Sequence, residues 1–197
     1  AFEDNARMAR LDVLFANRYL AAYDAWQHGG TPTLSWQIAF AASARTDLSV
    51  LQHLFVGMNA HINLDLGIAA ATVCPGPAID GLRGDFDRIN DVLAELLSGV
   101  QAALGAASPM LATLDKFCGS ADESFAGFAM GKARKQAWRV ATVLATLPPE
   151  HHDMAIALLD QQTATLGRLI TRPDPTTRAA LALIRLRESD DVAALTA

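Results

Sequence analysis

Apolar residues recur along most of this chain at helical spacing, and no stretch alternates apolar and polar positions long enough to read as a strand. Ala- and Leu-rich segments run for roughly 10 to 25 residues, long for strands. Pro and Gly punctuate them at Gly29-Gly30-Thr31-Pro32, at Cys74-Pro75-Gly76-Pro77 through Gly81 and Gly84, at Ser108-Pro109, at Cys118-Gly119-Ser120, at Pro148-Pro149 and at Arg172-Pro173-Asp174-Pro175. The pattern predicts a first helix from about Asp4 to Gln27. A second follows Thr31, with Pro32 in its first turn. A third runs from about Asp47 to Ala71 and a fourth from near Asp85 to near Leu104. A short piece spans Met110 to Phe117. Ser120-Ala121-Asp122-Glu123 then matches a capping box and opens a helix to about Leu147. Two more helices follow Pro149 and Pro175. Breaks this short join neighbouring helices, so residues 1–197 read as one all-α domain, a bundle of about seven helices.

The third helix differs from the others. Around Leu51 to Leu66 its apolar residues cover every face at about 100° per residue, which marks a buried, central helix. Its polar residues must then be buried too. His61 and Asp65 are four apart and share a face. His53 lies eight before His61, on the same side. Asn59 and Asn63, also four apart, lie on a different face. A buried polar group without a partner costs about 1–3 kcal/mol, so five of them within 13 positions call for either a site or a satisfied core network.

The fourth helix carries an apolar stripe of Phe86, Ile89, Leu93, Leu97 and Val100, with Asn90 inside it and Asp87 and Asp91 at its edge. Asp85 stands where an N-cap belongs. Facing helices could thus supply His61, Asp65, Asp87 and Asp91 to one divalent metal (zinc, manganese or iron), with His53 as a further ligand or as an acid/base group. The same residues serve metal-free chemistry, in which Asp65 orients His61 and His61 moves a proton; Asn59, Asn63 and Asn90 complete the candidate set. Two function classes follow: a small-molecule enzyme acting on an apolar or lipid-like substrate, by hydrolysis, oxygenation, cyclisation or isomerisation, or a non-catalytic helical binding or scaffold module whose polar core only fixes packing.

Composition narrows the partners. The 197 residues hold 16 basic and 21 acidic side chains, a net charge of −5, which disfavours a nucleic-acid partner. Hydrophobic residues make up 51% and charged residues 19%, which excludes a disordered chain. Cys74 and Cys118 match no zinc spacing and read as reduced thiols in a cytoplasmic protein. No segment reads as a signal peptide, and the polar groups inside the third helix argue against a membrane span. Lys132, Arg134, Lys135 and Arg139 read as a solvated basic face, and Trp26, Trp36 and Trp138 as core. The chain shows no nucleophile elbow, phosphate loop or dinucleotide-binding glycine motif.

Three stretches carry a resemblance: Phe15-Ala16-Asn17-Arg18-Tyr19-Leu20; Leu51-Gln52-His53 through Gly57-Met58-Asn59-Ala60-His61-Ile62-Asn63-Leu64-Asp65-Leu66; and Asp85-Phe86 with Ile89-Asn90. Together they resemble a bacterial family known as a domain of unknown function, over nearly the whole chain, and the resemblance implies no particular activity. His61 and Asp65 also match the H-x-x-x-D metal pair of the helical zinc-dependent phospholipases and nucleases. The N-terminal Trp ligand and the further His ligands of that family have no counterpart here.

Overall fold

The computed structural model describes residues 2–93 and 125–186, with side chains for all of these except 125–130 and 184. Helix α1 spans Asn5–Gln27 and begins on Asp4, whose carboxylate accepts the Arg7 N–H at 2.8 Å. Helix α2 spans Leu34–Ser43 and begins later than expected. Pro32 stays outside it, with its carbonyl accepting Gln37 Nε2 at 2.7 Å. The cap comes from elsewhere in the chain: Asp160 accepts the N–H groups of Leu34 (2.6 Å) and Ser35 (2.9 Å).

Helix α3 runs from Val50 to Val73. It starts at Ser49, not Asp47, because Ser49 and Gln52 form a reciprocal capping box while Asp47 pairs with Arg45 at 2.6 Å. The break expected after Cys74 contains a 3-10 turn, Gly76–Leu82, which buries Ile79 and Leu82. Residues 83–93 form helix α4. Helix α5 is Phe125–Thr146, α6 is His152–Thr171 after a 3-10 turn at Pro149–His151, and α7 is Pro175–Arg185. The predicted end of the fourth helix near Leu104, the piece from Met110 to Phe117, the capping box at Ser120 and Cys118 lie outside the described residues. Cys74 is a buried free thiol.

The described residues form an all-α fold without strands. Its core has two parts, and α3 contributes to both. Leu64, Leu66 and Ile68 pack with Phe86, Val140 and Leu144. Val56 and Ala60 pack with Trp36, Ala39 and Ala42. By length and composition α3 could cross a membrane, yet most of it is buried in this fold, as its all-round apolar pattern requires. Gly67 lets α5 approach: a Cβ there would stand 2.6 Å from Val140 Cγ1 and 2.8 Å from the Ala137 carbonyl oxygen.

Two charged residues depart from expectation. Asp85 does not cap its own helix, which starts at residue 83. Its buried carboxylate reaches back to the start of α1, accepting Glu3 N–H (2.6 Å), Asp4 N–H (3.0 Å) and Arg7 Nη2 (2.9 Å). Burial opposes that charge, but the N–H donors and Arg7 outweigh it and hold the carboxyl below its ordinary pKa. Arg134, expected on a solvated face, is 6% exposed. It donates from Nε to Asn90 Oδ1 (2.5 Å) and from Nη2 to the Phe86 carbonyl (2.6 Å), and lies 4.5 Å over the Phe86 ring. Burial lowers its pKa to about 10, so it stays protonated at neutral pH. Lys132, Lys135 and Arg139 are exposed as expected.

Candidate functional site

Asp65 is the most constrained polar residue of α3, with 1% exposure. Phe15, Arg18 and Tyr19 lie three and four apart on α1, so one face of that helix presents all three to α3. Arg18 donates from Nε to Asp65 Oδ1 at 2.8 Å. From α2, Trp36 donates its indole N–H to Asp65 Oδ2 at 2.8 Å. Three helices are thereby pinned to one carboxylate, and its two oxygens have charge-assisted partners, which a buried charge requires.

His61 stands one turn before Asp65. Its Nδ1 is buried, lies 3.6 Å from Asp65 Oδ2 and has no hydrogen-bond partner. That distance is just beyond a hydrogen bond. The ring stacks on Phe15, with centroids 3.7 Å apart and planes 10° apart, and is flanked by Tyr19 at 6.1 Å and Trp36 at 6.0 Å. About 30% of the side chain is exposed, so the ring is both held and accessible. The segment His61–Leu66 is π-helical. Such wide turns are rare and concentrate at functional sites; this one begins on His61 and contains Asp65.

The exposed side of His61 opens on a cleft of about 540 Å³, lined by Tyr19, Trp36, Phe40, His53, Met58 and other apolar residues, with no charged side chain in its described lining. Trp36 stacks on Phe40 (5.1 Å, 18°), which makes one wall flat and aromatic. His53 and His61 both line this cleft, while Asp65 lies behind it.

The other candidates lie elsewhere. Asn63 Nδ2 donates to Asn59 Oδ1 at 2.9 Å, and Asn59 Nδ2 donates to the Thr163 carbonyl at 2.8 Å. This pair lines a separate cleft of about 500 Å³ on the other side of α3. Asn90 is occupied by Arg134. Asp87 pairs with Arg83 at 2.6 Å, and Asp91 is exposed. The structure therefore does not gather His61, Asp65, Asp87 and Asp91 into one shell, and among the described residues no group of three or more His, Cys, Asp or Glu side chains is placed to hold a metal ion. The physical reason is that Asp65 faces Arg18 and Trp36, not α4.

Sequence reasoning missed the roles of Phe15, Arg18 and Phe40. Arg18 and Phe15 fall in the first of the resembling stretches, but their spacing in one helix does not reveal that they meet α3.

Fold and site together define an all-α protein built around one buried helix, with an aspartate–histidine pair beside an aromatic cleft. The chain belongs to a family of unknown function, DUF5995, whose model matches residues 1–173. That agrees with the resemblance read from its motifs. No curated protein and no solved structure matches the chain.

Proposed function

We propose that the cleft beside His61 binds an uncharged, largely apolar small molecule and that His61 moves a proton on it. The observation that carries this reading is the unpartnered, buried Nδ1 of His61, 3.6 Å from the Asp65 carboxylate. Catalytic hydrogen bonds are often long in the empty site and tighten when substrate binds. In the proposed step the ring turns within its stack on Phe15 and donates Nδ1–H to Oδ2. Asp65 then fixes the tautomer and favours the imidazolium that forms when Nε2 takes a proton from the substrate. Returning that proton to a different atom gives an isomer of the substrate, or closes a ring, with no change of mass. The aromatic wall of Trp36 and Phe40 supplies a flat surface for the substrate. His53, in the same cleft, is the second group able to carry a proton.

The test is an untargeted one. Small-molecule extract is incubated with wild-type protein and with His61→Ala, and both are followed by liquid chromatography and mass spectrometry. The reading expects a compound lost and an isomer gained with wild type only. Equal profiles for the two proteins contradict it.

One observation favours a binding module without catalysis. Arg18 and Trp36 already satisfy both Asp65 oxygens, so the carboxylate has a structural task whether or not His61 reacts. Under this second reading, compounds are retained by wild type and by His61→Ala alike and are recovered unchanged.

A further inference from the structure

Helix α1 buries Met8, Leu11 and Ala22 against the rest of the fold. Its outer face is not the polar one expected of a surface helix. Ala9, Val13, Ala16, Leu20 and Tyr23 lie four, three, four and three positions apart, and all five are exposed. Val13 is 57% exposed, Leu20 54% and Tyr23 45%. A 4-3 alternation averages 3.5 residues, the repeat with which one helix packs along another. At about 100° per residue this stripe points away from Leu11 and Ala22. A contiguous apolar stripe left in water marks an interaction surface.

The stripe is complementary to itself. When two identical helices pair antiparallel about a two-fold axis, every contact between them occurs twice. Setting Ala16 against Leu20 of the partner subunit also sets Val13 against the partner's Tyr23, so smaller side chains meet larger ones along the seam. The same register brings Arg10, on one flank, beside the partner's Asp24. On the other flank it brings Asp12 beside the partner's Trp26. Arg10 is exposed and forms no ion pair among the described residues. Asp24 has His28 of its own helix at 3.2 Å, and both side chains are open to solvent. A parallel pair would stack Ala16 on itself and leave Arg10 and Asp24 about 20 Å apart along the axis.

We propose that α1 is the interface of a symmetric, antiparallel dimer of this chain. Val13, Ala16, Leu20 and Tyr23 close the seam, and two Arg10–Asp24 ion pairs between the subunits fix its register. The proposal does not rest on the chemistry of His61. One helix pair is small for a specific interface, so the association belongs to the weaker, reversible class.

Sedimentation equilibrium of the whole chain, from about 5 to 500 μM, reads the mass against the 21.0 kDa of one chain. The expected result is a passage from monomer to dimer with a dissociation constant of about 100 μM or tighter. Leu20→Glu puts a charge in the middle of the seam and should weaken the dimer at least about thirtyfold. The site is exposed, so the circular dichroism of the variant should match wild type. Arg10→Asp and Asp24→Arg each set like charges together and should weaken the dimer about tenfold. The double variant Arg10→Asp/Asp24→Arg should restore it. That rescue is specific to antiparallel pairing of two copies, and it decides the matter alone if Leu20→Glu loses its helical signal. A wild-type chain that stays monomeric throughout, a dimer untouched by Leu20→Glu, or a double variant no tighter than the single ones would each overturn the proposal.

Discussion

The Phe15 ring lies 3.7 Å from the His61 imidazole, nearly parallel to it, and so fixes on α1 the orientation of a histidine that belongs to α3. The neighbouring Arg18, one turn on, holds Asp65. One face of α1 thus positions both members of the pair. Replacing Phe15 by Leu keeps an apolar contact and removes the stack. An aromatic pair contributes about 0.5–1.5 kcal/mol beyond its buried area. Urea unfolding of Phe15→Leu should show a loss of that size, and any activity that depends on His61 should fall further than the stability does.

His61 and Asp65 should respond differently to substitution. His61→Ala removes a ring that is about 30% exposed and whose Nδ1 has no hydrogen bond to lose. Asp65→Ala leaves Arg18 and the Trp36 indole without their acceptor. Breaking a buried charge pair costs on the order of 3–5 kcal/mol, and less here because Arg18 is itself partly exposed. Denaturant midpoints should therefore drop further for Asp65→Ala than for His61→Ala, which loses the Phe15 stack but leaves no charge unpaired. Equal losses in the two variants would show that the histidine is as structural as the aspartate.

Acid should release the start of α1. The folded pKa of Asp85 is depressed, so its contribution to stability is complete above the ordinary carboxylate pKa and fades as the pH falls through the lower, folded value. Wild type should be more stable than Asp85→Asn at neutral pH, and the gap should narrow only below about pH 4. A gap that is constant from neutral pH to strong acid would show that the carboxylate's charge is not what holds Glu3, Asp4 and Arg7.

Two glycines of α3 should move stability in opposite directions. Ala at Gly67 would place a Cβ 2.6 Å from Val140 and 2.8 Å from the Ala137 carbonyl, and overpacking of this kind costs about 1–3 kcal/mol. Ala at Gly57 would meet nothing within 4 Å, and replacing a mid-helix Gly there should stabilise by about 0.5–1 kcal/mol. Thermal unfolding of the two variants side by side checks both signs.

Much of the fold was legible in the sequence because periodicity and punctuation act locally. The start of α1 near Asp4, its end at Gln27 and the restart after Pro149 all follow from neighbouring residues. The burial of α3 was legible from its all-round apolar pattern. What failed depends on distant partners. Asp85 looks like the cap of its own helix and serves another one. Asp160 caps α2 from across the fold. Asp87 has the spacing of a metal ligand but pairs with Arg83 one turn before it. The π-helical turn at His61–Leu66 falls within a continuous apolar helical pattern that does not mark it.

In the proposed function, Asp65 sets His61 to present a basic nitrogen to the cleft. A carboxylate 3.6 Å from Nδ1 would favour the proton on that atom and an unprotonated Nε2. Nitrogen-15 NMR of the histidine-labelled protein, with the His61 signals assigned by their loss in His61→Ala, reads the tautomer of the neutral ring directly. The expected result is a proton on Nδ1 and an unprotonated Nε2. A neutral ring carrying its proton on Nε2, with Nδ1 bare toward Asp65, would contradict it.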